Sequence, residues 1–161
     1  AHMIHIAGVE KTFARAEAKA WKVLRDGSAL EEFRKLVAAQ GGLVEALSDY
    51  SLLPHAETET VVRAPKNGFV KMFDNEKVGL LLIDLGGGRK MKTDVIDHAV
   101  GFIFHKKIGD SMKKGDPLLT IHHHPQQQKL VDQIAKTFVT DVIQFSSAKI
   151  RKPRLILEKL S

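Results

Sequence analysis

The strongest constraint in this sequence is a change of periodicity near residue 58. Before that point apolar residues recur at helical spacing, whereas after it short β-like segments are separated by glycine and proline. We expect a boundary within residues 45–58. The sequence therefore predicts an α+β protein, with a helical segment at residues 4–57 and a compact β-rich domain at residues 58–161 that contains two further helices.

Two helices are predicted within residues 10–40. One face of the first is apolar, and its members are Phe13, Ala16, Ala20, Trp21 and Leu24. Gly27 ends this helix. Ser28 and Glu31 have the spacing of a capping box, which predicts that the Ser28 hydroxyl opens the second helix. The apolar stripe of that helix consists of Leu30, Phe33 and Val37.

The β-rich part is predicted from short apolar runs bounded by turn residues. Strands are expected at residues 60–63, 69–72, 100–104, 118–122, 141–145 and 154–160, the first two lying on either side of a turn at residues 65–68. The run at 78–85 fits a buried strand or a helix. Asp74 as a cap and Gly86 as a C-terminal glycine favour the helix. Pro125 is expected to open the last helix.

Composition excludes several classes of function. Among 161 residues, 43% are hydrophobic and 27% are charged, which is typical of a globular protein, and no apolar run is long enough to span a membrane. The absence of cysteine excludes disulfides, thiolate metal sites and cysteine nucleophiles, and fits a cytoplasmic protein. Residues 1–3 are interpreted as a cloning remnant and left out.

Lysine and arginine outnumber aspartate and glutamate by 25 to 19, giving a formal net charge of +6. The basic residues are scattered and have few aromatic residues between them, so a solvated basic surface is favoured over a nucleic-acid site. Weak nucleic-acid binding stays open only as a third interpretation.

Two stretches resemble a known family. Residues 85–110, LGGGRKMKTDVIDHAVGFIFHKKIGD, resemble the hallmark segment of the C-terminal domain of pyrimidine-nucleoside and thymidine phosphorylases, and residues 113–122 are similar to that family's glycine-bounded hairpin. Residues 27–42 resemble the helix that leads into this domain. The resemblance departs at Gly87, where the family commonly has alanine, and at the pair His123 and His124.

The resemblance implies a fold and a role. It implies an α/β-hammerhead and barrel-sandwich hybrid domain, taken from a parent enzyme that converts a pyrimidine nucleoside and phosphate to free base and (deoxy)ribose 1-phosphate. The parent is expected to be a homodimer, and this domain to form one wall of its cleft and support closure. The family's phosphate- and base-binding motifs do not occur here. No catalytic residue, cofactor or metal is therefore expected, and the chain alone is expected to be inactive.

One loop is a candidate for a role at the cleft. Its residues are Gly86, Gly87, Gly88, Arg89 and Lys90. The run lacks the lysine-serine/threonine ending of a phosphate-binding P-loop, so a structural turn with basic, solvated ends is favoured over a loop that orders on closure. Three successive glycines nevertheless predict that residues 86–93 form the most mobile internal loop.

Two further patterns in the sequence bear on function. Lys90-Met91-Lys92 bears some likeness to the lysine-bearing hairpin of biotin carriers, which leaves a stand-alone biotinyl- or lipoyl-like module as the alternative function. Residues 122–124 are three histidines, but consecutive residues of a strand point to opposite faces and cannot converge on one ion, so only adventitious metal binding is considered. His98 and His105 are interpreted as structural rather than as general bases.

Overall fold

The computed structural model describes residues 1–158, and the chain divides into two compact units, Ala1–Leu53 and Pro54–Ser161. We refer to them as the helical unit and the sheet unit. The architecture is α+β, with N-terminal helices followed by two small antiparallel sheets and two further helices. Within the described residues no helix is both long and apolar enough to cross a membrane.

The helical unit contains α1 (His2–Ile6), α2 (Phe13–Arg25) and α3 (Ser28–Ala39), followed by two 3₁₀ turns at Val44–Leu47 and Tyr50–Leu52. Thr12 caps α2 by accepting a hydrogen bond from the Arg15 amide. In this unit, all of which is described, the buried apolar side chains are those of Ala16 and Ala46. The two longer helices thus leave most of their apolar stripes exposed.

The predicted capping box at Ser28 is wrong. Ser28 is the first residue of α3, and its hydroxyl and amide both donate to Asp26 Oδ1, at 2.7 and 3.0 Å. Gly27 occupies the N-cap position with φ of 82°. The Glu31 amide, which the box would have bonded to the Ser28 hydroxyl, instead donates to Gly27 O at 3.1 Å, and the Asp26 carboxylate orients Ser28 as an acceptor of its two donors.

The sheet unit contains two three-stranded antiparallel sheets. Strands β1 (Thr58–Arg63), β5 (Pro117–His123) and β3 (Gly101–Phe104) form the first in the order β1-β5-β3. Strands β4 (Ser111–Met112), β2 (Gly68–Phe73) and β6 (Ile143–Ser146) form the second in the order β4-β2-β6. Although β1 and β2 flank one turn, they lie in different sheets, and so do β4 and β5, the pair that a glycine-bounded hairpin would join.

Two helices cover these sheets. α4 (Asn75–Leu85) begins at Asp74, whose side chain accepts from the Lys77 amide, and ends at Gly86, as predicted. Pro125 opens a 3₁₀ turn (Pro125–Gln127) that continues as α5 (Gln128–Thr137) and then as a π-helical turn (Phe138–Val142).

The strand ends differ from the predictions near the C-terminus. The strand expected at 141–145 begins only at Ile143, because residues 141 and 142 belong to the π-helical turn. The strand expected at 154–160 is wrong over residues 154–158, which form no ladder, and residues 159–160 lie outside the described residues. The apolar side chains there are exposed to solvent, Leu155 by 100% and Leu157 by 84%.

The core of the sheet unit is one cluster of buried apolar side chains drawn from both sheets and both helices. Val70, Leu119, Ile121 and Phe138 are fully buried in it. The Phe102 ring packs edge-to-face on Phe138, with centroids 5.0 Å apart. This cluster fixes the ends of α4 and β5, and the segment between those ends contains the candidate loop.

Candidate functional site

The three-glycine run is the C-terminal cap of α4. The Gly86 amide donates to Ile83 O at 3.0 Å, and the Gly87 amide donates to Leu82 O at 2.9 Å. Gly86 has φ of 105°, in the left-handed region that favours glycine. These two bonds form a Schellman motif, so the run reverses the chain at the helix end.

The second and third glycines lie against side chains of α4, which would have to move to admit a Cβ. A Cβ on Gly87 would lie 2.6 Å from Leu82 Cδ1, and a Cβ on Gly88 would lie 2.7 Å from Ile83 Cγ1. Both glycines therefore fold back over the last turn of α4. The geometry supports the structural-turn interpretation of this run.

The residues after the glycines do not form an empty anion cradle. The amides of Lys90 and Met91 both donate to Asp94 Oδ2 at 2.9 Å, so a carboxylate of the chain already uses these two donors. The loop also follows a helix C-terminus, whose partial charge is negative, whereas phosphate loops precede a helix N-terminus. Arg89 is exposed, and Lys90 Nζ lies 2.6 Å from Asp84 Oδ1 at the surface.

Four hydrogen bonds form a closed circuit between the C-terminal end of α4 and the segment that follows β5. We call this set of bonds the corner circuit. Gln127 Nε2 donates to Leu85 O at 2.8 Å, and the His124 amide donates to Gln127 Oε1 at 2.9 Å. His124 Nε2 lies 2.8 Å from Asp97 Oδ2, and the Asp97 amide donates to Gly86 O at 3.0 Å. Leu85 and Gly86 are consecutive, so the circuit closes.

The corner circuit was missed in the sequence analysis. One part of the circuit is recognisable in the sequence. His124, Pro125 and Gln127 have the spacing of a capped helix start with proline at its first position. The pairing of Asp97 with His124 spans 27 residues and left no local pattern. The circuit places the start of the candidate loop and His124 at one corner of the sheet unit.

The three histidines point in different directions, as expected for a strand. His123 is fully buried, with Nε2 2.9 Å from Thr60 Oγ1 and Nδ1 2.9 Å from His124 O. His122 Nδ1 instead faces Glu59 Oε1 at 3.4 Å. Within residues 1–158 no group of three or more histidine or carboxylate side chains could hold a metal ion.

His98 and His105 make no hydrogen bond of the corner circuit. His105 Nε2 lies 2.8 Å from Thr120 Oγ1, across the β3–β5 side of the first sheet. This hydrogen bond supports the structural interpretation of His105. His98 is exposed.

A second corner of the sheet unit is held by the turn at residues 107–110. Asp110 Oδ1 lies 2.6 Å from Lys152 Nζ, and Asp110 Oδ2 accepts from the Lys107 amide at 2.8 Å. These two donors, with Lys152 first, hold the pKa of the Asp110 carboxyl below its ordinary value. The turn therefore carries a carboxylate bonded on both oxygens.

The geometry defines a class of protein: an α+β domain whose glycine run is a packed helix corner, with no metal-ligand cluster in the described part of the chain. Comparison with known proteins makes this more specific. Residues 69–141 match the family "Pyrimidine nucleoside phosphorylase C-terminal domain". The chain carries a pyrimidine nucleoside phosphorylase C-terminal domain, and its homologues are pyrimidine-nucleoside phosphorylases.

Individual relatives agree over most of the chain. The pyrimidine-nucleoside phosphorylase of Geobacillus stearothermophilus is 36% identical over 160 residues, which is 99% of this chain and 36% of the relative. That of Bacillus subtilis (strain 168) is 35% identical over 154 residues, 96% of this chain and 34% of the relative. This chain thus spans about a third of the length of the relatives it matches.

Proposed function

We propose that this chain is the C-terminal part of a pyrimidine-nucleoside phosphorylase, and that it forms one wall of the parent's substrate cleft and supports closure. The observation that carries the proposal is the match to the family's C-terminal domain together with coverage of only about a third of the relatives. The parent reaction implied is attack of phosphate on a pyrimidine nucleoside, giving free base and (deoxy)ribose 1-phosphate.

The exposed apolar stripe of α3 supports the proposal that this chain contacts another part of the parent enzyme. Leu30, Phe33 and Leu36 follow one another at three-residue spacing, and their side chains are 43%, 47% and 50% exposed. On α2, Trp21 and Leu24 are exposed as well. Contiguous apolar surface of this kind marks an interaction site, and we assign it to the remainder of the parent enzyme.

The corner circuit supports a mechanical role for the sheet unit. A wall that moves as one body during closure needs loops anchored to its core. The circuit anchors the glycine run to β5, and it presents Arg89 and Lys90 at the surface. Gly86, Gly87, Gly88, Arg89 and Lys90 remain candidates for the side that faces the cleft.

The finer parts of the proposal follow the family. They are the hammerhead and barrel-sandwich description of the sheet unit and a homodimeric parent. The division at residues 57 and 58 rests instead on the change of periodicity, and the cytoplasmic location on the absence of cysteine. The stand-alone carrier module is the runner-up, and here Lys90 is unfavourably placed. It lies between a helix and a strand and pairs with Asp84, whereas a carrier lysine sits at the tip of a hairpin.

The test is complementation. The chain alone should release no uracil from uridine and no thymine from thymidine in phosphate buffer. The separately produced remainder of the parent should be inactive or weakly active alone and should gain phosphorolysis when this chain is added. Activity of the isolated chain, or no gain on mixing while both parts are folded, would contradict the proposal.

A matched pair of variants locates the contact. Phe33→Asp places a charge in the exposed apolar stripe and should abolish the gain of activity, because an unpaired charge is costly to bury. Glu17→Lys on the exposed polar side of α2 should leave it unchanged.

A further inference from the structure

A cavity of about 670 Å³ opens in the sheet unit beside the turn at residues 107–110. Its apolar lining includes Phe73, Val78, Phe104, Ile108 and Leu155. Volumes of roughly 300 to 1,000 Å³ with mostly apolar walls and a few polar groups are typical of small-molecule sites. The cavity is separate from the corner circuit, whose residues do not line it.

The aromatic wall of this cavity is fixed by the core. Phe73 and Phe104 pack edge-to-face with ring centroids 5.3 Å apart and an interplanar angle of 87°. Phe104 also packs on the fully buried Phe138, at 6.0 Å between centroids. Because both rings are held before anything binds, a flat apolar ligand meets a preorganised surface.

One cation stands at this wall without a carboxylate partner in the described structure. Lys107 Nζ lies over the Phe104 ring, 5.4 Å from its centroid, and the Lys107 amide is held by Asp110 Oδ2. Lys152 also lines the cavity, but its Nζ is paired with Asp110 Oδ1 at 2.6 Å. The net charge at the lining is therefore positive and centred on Lys107.

The second wall is built by close packing. Gly109 has φ of 86°, and a Cβ there would lie 2.8 Å from Lys152 Cγ and 3.0 Å from Ile150 O. The turn and the segment that contains Lys152 and Pro153 thus approach as closely as glycine permits. This contact, with the Lys152–Asp110 pair, holds the Pro153 side of the cavity against the turn.

We propose that this cavity binds a small aromatic anion, with its ring against Phe73 and Phe104 and its carboxylate, sulfonate or phosphate group toward Lys107. Charge complementarity selects the anion, and the edge-to-face aromatic pair selects the flat ring. The proposal is independent of phosphorolysis, since every residue that lines the cavity belongs to this chain and none belongs to the family's phosphate- or base-binding motifs.

The test uses naphthoate as the probe and naphthalenemethanol as its neutral counterpart, titrated into the isotope-labelled 161-residue chain and followed by amide chemical shifts. Naphthoate should give saturable shifts at Val78, Phe104 and Ile108. The alcohol should bind roughly 3- to 10-fold more weakly, because it keeps the ring and lacks the charge.

Two variants distinguish the contribution of the Lys107 charge to binding from the contribution of the cavity itself. Lys107→Gln should weaken naphthoate by roughly 3- to 10-fold and leave the alcohol unchanged. The control Lys113→Gln removes an exposed lysine that does not line this cavity, and it should change neither affinity. Val78→Trp should fill the cavity and abolish binding of both probes, with dispersed amide signals as the check on folding.

Several results would overturn the proposal. They are shifts that do not saturate, shifts centred outside the cavity, or equal loss of naphthoate affinity in the Lys107 and Lys113 variants. Shifts at Val78, Phe104 and Ile108 that follow protein concentration without any probe would show that a second copy of the chain is the occupant, and would overturn it too.

Discussion

Asp97 Oδ2 and His124 Nε2 lie 2.8 Å apart and join two segments that are 27 residues apart in sequence. Asp97 also accepts from the Ala99 amide through Oδ1, at 2.9 Å, and donates its own amide to Gly86 O. One partly buried aspartate thus fixes the chain on both sides of the helix corner. The following predictions start from this contact.

Replacing Asp97 by alanine should lower the free energy of unfolding of the sheet unit by about 1 to 3 kcal/mol, because two hydrogen bonds are lost and their partners stay partly buried. Lys66→Ala, at an exposed position, should change it by less than about 0.5 kcal/mol. Urea unfolding should be followed by NMR signals from residues 54–158, since the chain's one tryptophan, Trp21, reports on the helical unit. Equal stability of the two variants would contradict the role given to Asp97.

Residues 86–93 should not exchange their amide hydrogens uniformly. Three glycines predict high mobility, and that expectation remains to be measured, but the Gly87 amide is bonded to Leu82 O while Lys92 and Thr93 are exposed. We expect slower hydrogen exchange at Gly87 than at Lys92 and Thr93. In His124→Ala the exchange at Asp97 should accelerate. Uniformly fast exchange across the segment would show that the Schellman bonds do not persist in solution.

Gly109→Ala should lower the free energy of unfolding by more than Gly115→Ala does. Both glycines have positive φ, 86° and 90°, so the backbone strain of alanine is similar at the two sites. Only Gly109 also has neighbours that an added Cβ would strike, whereas nothing lies within 4 Å of such an atom at Gly115. We expect about 1 kcal/mol from strain at Gly115 and roughly 1 to 3 kcal/mol more at Gly109. Thermal or urea unfolding measures the difference, and equal costs would mean that the contact with Lys152 yields easily.

Acid should weaken the turn at residues 107–110. The pKa of Asp110 is lowered in the folded chain, chiefly by Lys152, so the carboxylate contributes stability above the ordinary aspartate pKa of about 4. That contribution is lost as the pH falls from there through the lowered folded value. Lys152→Met should raise the pKa of Asp110 toward its ordinary value in a carboxyl-detected NMR titration. An unchanged titration midpoint would show that the pair does not form in solution.

The sequence predicted correctly those helices whose ends are determined by residues close by in the chain. α4 was predicted because Asp74 supplies a cap and Gly86 a C-terminal glycine, and both act within a few residues. The capping box failed because the helix begins one residue earlier than expected: Gly27 is the N-cap and its carbonyl accepts from the Glu31 amide, while Ser28 donates to Asp26, which lies outside the expected pattern. β4 has only two residues and exists through its pairing with β2, so no periodicity could reveal it.

Long-range pairing could not be read from the sequence. β1 and β2 flank the turn at residues 65–68, yet β1 pairs with β5 and β2 pairs with β4 and β6, and Val62 and Val70 both lie in the core. The corner circuit has the same origin, since the Asp97–His124 bond depends on the register of distant segments. The glycine run forms a turn that caps α4, which is compatible with the favoured structural interpretation, and its role at a cleft remains a prediction.

The strand order has a consequence for the synthesis of this chain. β5 lies between β1 and β3, and β6 completes the sheet of β2, so each sheet needs a strand made long after its first member. Contacts of this kind form slowly, because a long loop must close first. During translation β1 and β2 therefore emerge without partners, while the helices of residues 1–53 need only local contacts. The sheet unit acquires its cooperative fold only after residue 146 has left the ribosome, which makes the last stretch of synthesis the period in which its strand edges are open to misassembly.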